Sequence, residues 1–148
     1  MSLIRTEMPV LARHEGEWEG VYIHVDADNR EIDRHKSRLQ CSFPDAGPYA
    51  YYQINTYLWA DGRREEIHFP ATYRDKAIWW DTERIFGRAW EIDARTVCLT
   101  WTRKDMPSAY LYEMIQISQD GCHRGRTWHW FENDQLFKRT CIKEQRVR

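Results

Sequence analysis

Arg124-Gly125-Arg126-Thr127-Trp128-His129-Trp130-Phe131, followed after a short polar turn by Leu136-Phe137-Lys138-Arg139-Thr140-Cys141-Ile142, is the stretch on which the fold turns. Joined at Asn133-Asp134, the two runs read as a β-hairpin. That register sets Trp130 opposite Phe137, Trp128 opposite Arg139 and Arg126 opposite Cys141. One face then mixes aromatic rings with guanidinium groups. The other carries Thr127, His129 and Phe131 against Thr140, Lys138 and Leu136. Neither shows the apolar-in, polar-out split of a strand covering a dry core, and such a mixed face suits a wall that meets a ligand or internal water.

Upstream of the hairpin the period-two pattern recurs. From Trp18 onward Trp18, Gly20, Tyr22 and His24 point one way and Val21, Ile23 and Val25 the other. Strands are expected at 32–43, ending at Pro44, and at 49–59, where Tyr51, Gln53, Asn55, Tyr57 and Trp59 share a face. Asp61-Gly62 is the strongest turn signal and sets Trp59 against Arg64, Tyr57 against Glu66 and Asn55 against His68, in a strand running to Phe69 before Pro70. Further strands follow at 76–81, 84–92, 96–103 and 109–118, the last joined through Asp120-Gly121 to the hairpin. Ahead of them all, 9–15 makes a short helix with Pro9 at its first position and Gly16 as the stop. About ten strands with short links mean antiparallel neighbours, and a meander of that length loses its exposed edges by closing on itself. The expected fold is therefore all-β, an antiparallel up-and-down barrel of about ten strands with a short N-terminal helix, and 148 residues make one domain over 1–148.

Lys plus Arg number 22 against 23 Asp plus Glu, which denies the chain the basic footprint of a nucleic-acid binder or a polybasic membrane patch. No N-terminal apolar run reads as a secretory signal and no window reaches the roughly 20 apolar residues of a membrane span, so the expectation is a cytoplasmic protein. Cys41, Cys98, Cys122 and Cys141 show no CxxC pairing and are expected as buried free thiols. Eight Trp and eight Tyr, spread along the whole chain, suit the interior of a barrel or the lining of an apolar pocket.

Gly16-Glu17-Trp18, a Gly-x-Trp opening the first strand just after a short helix, resembles the signature of the calycins, the barrels of lipocalins and fatty-acid-binding proteins. The resemblance implies that Trp18 closes one barrel end and that an Arg of the last strand, Arg139 or Arg146, packs across it. The run Trp18-Glu19-Gly20-Val21-Tyr22, the pair Ser37-Arg38 and the closing hairpin are similar to a bacterial lipocalin-like family of unknown function related to bilin-chromophore lyases. Fatty-acid-binding barrels hold a carboxylate with an Arg-x-Tyr pair, and Arg126-Thr127-Trp128 occupies a similar place with Trp for Tyr. The resemblance carries over no catalytic residue.

Carrying the registers outward places Glu113 beside Trp128 and Arg139, with Ile115 beside Arg126 and Ile117 beside Arg124. Two readings follow. In one, Arg126 and Arg139 meet a ligand's carboxylate or phenolate while Glu113 orients them and Trp128 stacks. In the other, Glu113 and the arginines form an ion-pair network that ties three strands together. On the first reading Arg126 serves the ligand more than the fold. The histidines show no HxH or HExxH spacing for a metal, and no motif names a cofactor. His129 is the choice for a haem ligand of the kind that calycins resembling nitrobindin use. The function expected is the binding of a small aromatic or amphipathic, anionic molecule inside a cavity lined by Trp and Arg. The alternative is a lyase or isomerase in which His129 or Glu113 moves a proton.

Overall fold

A computed structural model describes residues 3–147. Two short helices, α1 (Leu3–Glu7) and α2 (Pro9–Ala12), lead into ten strands. These are β1 (Gly16–Asp26), β2 (Glu31–Ser42), β3 (Tyr51–Leu58), β4 (Arg64–Arg74), β5 (Ala77–Asp81), β6 (Ile85–Asp93), β7 (Thr96–Arg103), β8 (Ala109–Ile117), β9 (His123–Glu132) and β10 (Gln135–Val147). Each strand pairs antiparallel with its neighbours in sequence, and β1 pairs with β10 to close the barrel. Closure removes both edges, as the meander of short links required.

Asn133 and Asp134 both take positive φ, 50° and 62°, the pair of left-handed residues that a tight hairpin turn of matching twist demands. Phe131 accordingly faces Leu136. The expected register fails at the next residue. Phe137 is a β-bulge, so Trp130 pairs with Lys138, Trp128 with Thr140 and Arg126 with Ile142. Because side chains alternate, one extra residue turns the rest of the strand over. Arg139 and Cys141 go to the outer face; Lys138, Thr140, Ile142 and Glu144 go inside.

A smaller slip occurs at Asp61-Gly62. The Gly62 N–H donates to the Trp59 carbonyl and Gly62 takes φ +91°, a three-residue loop in which Gly62 supplies the left-handed residue. Tyr57 therefore faces Glu65 and Asn55 faces Ile67, while His68 lies on the outside. The strand also runs through Pro70 to Arg74. Proline is tolerated there because β5 meets β4 only at Thr72–Arg74, which leaves the earlier part of β4 unpaired on that side. The Arg84 guanidinium donates to the His68 carbonyl along this free margin at 3.2 Å.

Of the four cysteines, all free, Cys41 and Cys98 are buried while Cys122 and Cys141 are exposed, the latter turned outward by the bulge. Burial pushes the Cys98 thiol up, with Glu113 adding to it. In native buffer a thiol reagent should therefore count two cysteines rapidly, and all four after denaturation. A rapid count of four would mean that Cys41 and Cys98 are not sealed in.

Candidate functional site

The barrel interior is layered, and the layers follow from cross-strand pairing. At the end where the chain enters, Trp18 is fully buried beneath the helices. Its indole N–H donates to the His14 carbonyl at 3.0 Å. Two guanidinium groups lie over its ring, Arg124 at 4.6 Å and Arg146 at 4.4 Å from the centroid. Arg146 also donates to the carbonyls of Arg13, Glu15 and Gly121, tying the last strand to the end of α2. Of the two arginines that the Gly-x-Trp opening implied, the structure assigns the role to Arg146.

The next layer is a buried ion-pair network. Arg126 Nε lies 2.6 Å from Glu113 and its Nη1 3.4 Å from Glu144, and Nη1 also donates to the Tyr22 hydroxyl at 2.9 Å. Arg124 Nε lies 2.7 Å from Glu144 and its Nη1 donates to His14 Nδ1 at 3.0 Å. All four charged residues are at most 5% exposed. Two arginines and two glutamates balance in charge, so each burial is compensated. Burial works against the ionised form of Glu144, yet Arg124 and Arg126 outweigh it and hold the carboxyl below its ordinary range. Burial, reinforced by Arg124, keeps His14 well below its usual value. His14 is thus a neutral acceptor. Gly20 makes room for this layer, since a Cβ there would lie 2.3 Å from the Lys143 carbonyl and 2.6 Å from the Glu144 side chain.

The network corrects the expected placement of Arg126 and Arg139. Arg126 does have Ile115 beside it, as Arg124 has Ile117 and Glu113 has Trp128. Across β10, however, its neighbour is Ile142, and Glu144 stands one layer on. Arg126 thus holds two carboxylates of its own protein. Arg139, paired with His129 on the outer face, has no place beside Glu113. His129 is exposed and does not enter the interior, and Glu113 is ion-paired to Arg126. Glu144 was missed because its inward placement depends on the bulge. The signal available was charge: two inward arginines on β9 called for a second carboxylate.

Above the network the barrel opens. Phe69, Trp101 and Trp128 stand between two spaces, lining both an inner cavity of about 50 Å³ beside Arg124 and Arg126 and a mouth of about 480 Å³ at the other end. The indoles of Trp59, Trp101, Trp128 and Trp130, each half-buried, form the walls of the mouth. Trp130 meets Trp101 and Trp128 edge to face at 5.5 Å. Lys138, turned inward by the bulge, lies 4.4 Å over the Trp130 ring and has no carboxylate within 4 Å among the described residues. Burial lowers the pKa of its ammonium, and Asp33 pulls the other way.

His24, Asp33 and His35 share the inner face of β1 and β2 at this mouth. His35 Nδ1 is 3.1 Å from Asp33, whose two oxygens accept from Trp59 Nε1 at 3.0 and 3.2 Å. Burial, aided by Lys138, holds His24 down to about 4. Burial also lowers His35, against Asp33, which favours its protonated form. Absence of an HxH motif hid this trio, because its members meet across a turn. His24 faces Asp33 directly and His35 lies two residues further along the same face.

No helix of the described residues is long and apolar enough to cross a membrane. The chain matches no family model and no curated protein. Its likeness is to solved structures. One is a protein of unknown function from the DUF3598 family of Nostoc punctiforme, with a TM-score of 0.73 and 18% identity over 93% of this chain and 49% of that one. The chain thus spans about half the length of the Nostoc protein. A second is the S-type phycobiliprotein lyase CPES of Guillardia theta, with a TM-score of 0.74 and 11% identity over 100% of this chain and 94% of that one. A third, Rv2717c of M. tuberculosis, gives 0.62 and 13% over 96% and 98%. At these identities the chain shares one thing with these proteins, its fold: a closed antiparallel barrel of the kind that the Gly-x-Trp opening and the closing hairpin resemble.

Proposed function

We propose that the chain binds a small aromatic, anionic molecule in the open mouth of the barrel, stacked among Trp59, Trp101, Trp128 and Trp130 with its acid group on Lys138. The observation that carries this reading is the contrast between the two sets of cations. Arg124 and Arg126 hold Glu113 and Glu144, so an arriving anion gains little from them. Lys138 is partly buried, has no such partner among the described residues, and sits on an aromatic wall with a cavity of about 480 Å³ before it. Such a lining, mostly aromatic with a few convergent polar groups, is what small-molecule sites use. A phycobiliprotein lyase among the structural neighbours fits a ligand of that class, at the level of fold. Of the residues expected from the hairpin, Trp128 belongs to this site, Arg126 and Glu113 line the inner cavity beyond it, and Arg139 and His129 lie outside it.

The test is a titration with anilinonaphthalene sulfonate, an anionic aromatic probe, followed by quenching of Trp fluorescence. Lys138→Met keeps the stem against Trp130 and removes the charge. Its affinity should fall by about tenfold, the effect of about 1.4 kcal/mol and the low end of a hydrogen bond to a charged group. Arg139→Met and His129→Ala should bind as the unmodified chain does. Equal binding by Lys138→Met, or a loss confined to Arg139→Met, would refute the assignment.

A further inference from the structure

We propose that His24, Asp33 and His35 form a binding site for a divalent transition-metal ion on the inner wall of the mouth. One ring nitrogen of each histidine and one carboxylate oxygen of Asp33 lie within 4.8 Å of one another. Two imidazoles and a carboxylate are a donor set that zinc and non-haem iron sites share, with the remaining coordination positions left open. Here those positions face the cavity, since all three residues line it.

A second observation is independent of that clustering. His35 is 6% exposed, and its Nε2 is buried without a hydrogen-bond partner. Its ring is held between Tyr22, stacked at 4.9 Å, and Trp59 at 4.4 Å. A buried polar atom left unpaired is costly unless something meets it, and a neutral imidazole offers one ring-nitrogen lone pair that an ion in the mouth would take up.

The surroundings also resemble the outer shell of a metal site. Trp59 Nε1 donates to both oxygens of Asp33. His24 Nδ1 lies 2.7 Å from the Thr140 hydroxyl, which accepts in turn from Trp130 Nε1 at 2.9 Å. Each of these contacts fixes the orientation of one donor group, the task of outer-shell partners. The charges of the rim are mixed: Glu65, Glu83 and Asp105 favour a cation, while Lys138, Arg84 and Arg103 oppose it. With Asp33 the mouth has one more carboxylate than cations. The site shares a cavity with the ligand reading but not its evidence, and an ion bound here would offer an anionic ligand a second point of attachment.

The experiment is a calorimetric titration of the full chain, stripped with chelator, using Zn²⁺ alone, with Co²⁺ absorption as a second readout. Cys122→Ser and Cys141→Ser remove the exposed thiols from the background. One ion should bind per chain, and His24→Ala and Asp33→Asn should each weaken it by at least tenfold, given that loss of an outer-shell partner alone costs 10–100-fold. His68→Ala, which alters the surface pair of His68 and Glu66, should leave binding unchanged. Urea denaturation of each variant without metal shows that it is folded, and Asp33→Asn decides the matter if His24→Ala is not. No binding, or binding unaffected by both substitutions, would overturn the site. Because no organic probe is present, that failure would leave the ligand reading standing, and failure of the probe titration would leave this one.

Discussion

Arg126→Met should destabilise the barrel by about 3–5 kcal/mol, the usual consequence of removing one partner from a buried ion pair. The substitution keeps much of the packing against Trp128 and Tyr22 but takes away the one ion pair that Glu113 makes among the described residues and leaves Glu144 with Arg124 among them. An uncompensated charge at that depth is the source of the loss, not the missing attraction itself. Arg139→Met, on the outer face, should change stability by less than about 0.5 kcal/mol. Urea denaturation followed by Trp fluorescence separates the two. The network also sets an acid response. Glu144 is held below its ordinary 4.5, so its contribution is complete above that pH and is lost as pH falls through its lower folded value. Glu144→Gln should be much less stable at neutral pH and should lose less on acidification than the unmodified chain. Full stability in Arg126→Met would return that residue to ligand binding.

Trp18→Ala should cost a further large amount, about 3–5 kcal/mol for truncating a buried aromatic ring. Trp18 touches the guanidinium groups of Arg124 and Arg146, lies opposite Leu39 on β2, and fastens His14 through its indole N–H. Removing it opens the closed end and loosens the segment between α2 and β1. Trp18→Phe should recover most of the packing and lose the bond to the His14 carbonyl, a net of about 0.5–1.5 kcal/mol. Thermal unfolding reads both, and an Ala variant as stable as the Phe variant would mean that the ring is not what closes this end.

The barrel was legible because its evidence is local. Alternating residues, Asn133-Asp134, Asp120-Gly121 and the bound at Pro44 each act within a few residues and placed the ten strands, whereas Pro70 did not end β4, which runs on to Arg74. The inner face of β3 and the pairing of β8 with β9 were legible for the same reason. What escaped depends on single residues whose effect propagates. Phe137 carries no mark that distinguishes a bulge from a regular strand residue, yet it decides whether Arg139 or Lys138 enters the barrel. The loop around Gly62 has the same property on a smaller scale. The metal trio escaped for another reason: its spacing is regular only across the strand pair, where His24 faces Asp33. Trp18 was legible twice, as the start of a period-two run and through the Gly-x-Trp resemblance, and its arginine partner was narrowed to two candidates of which Arg146 is the one found.

On the proposed reading the ligand enters the mouth and stops at Phe69, Trp101 and Trp128. The eight indole N–H signals of the ¹⁵N-labelled chain, followed by NMR during titration with anilinonaphthalene sulfonate, test it directly. Trp59, Trp101, Trp128 and Trp130 should shift with saturation, while Trp18 beneath the helices and Trp79 and Trp90, which Arg88 covers on the outer surface, should stay in place. Shifts at Trp79 and Trp90 with the four mouth indoles unmoved would put the ligand on the outer surface and not in the mouth.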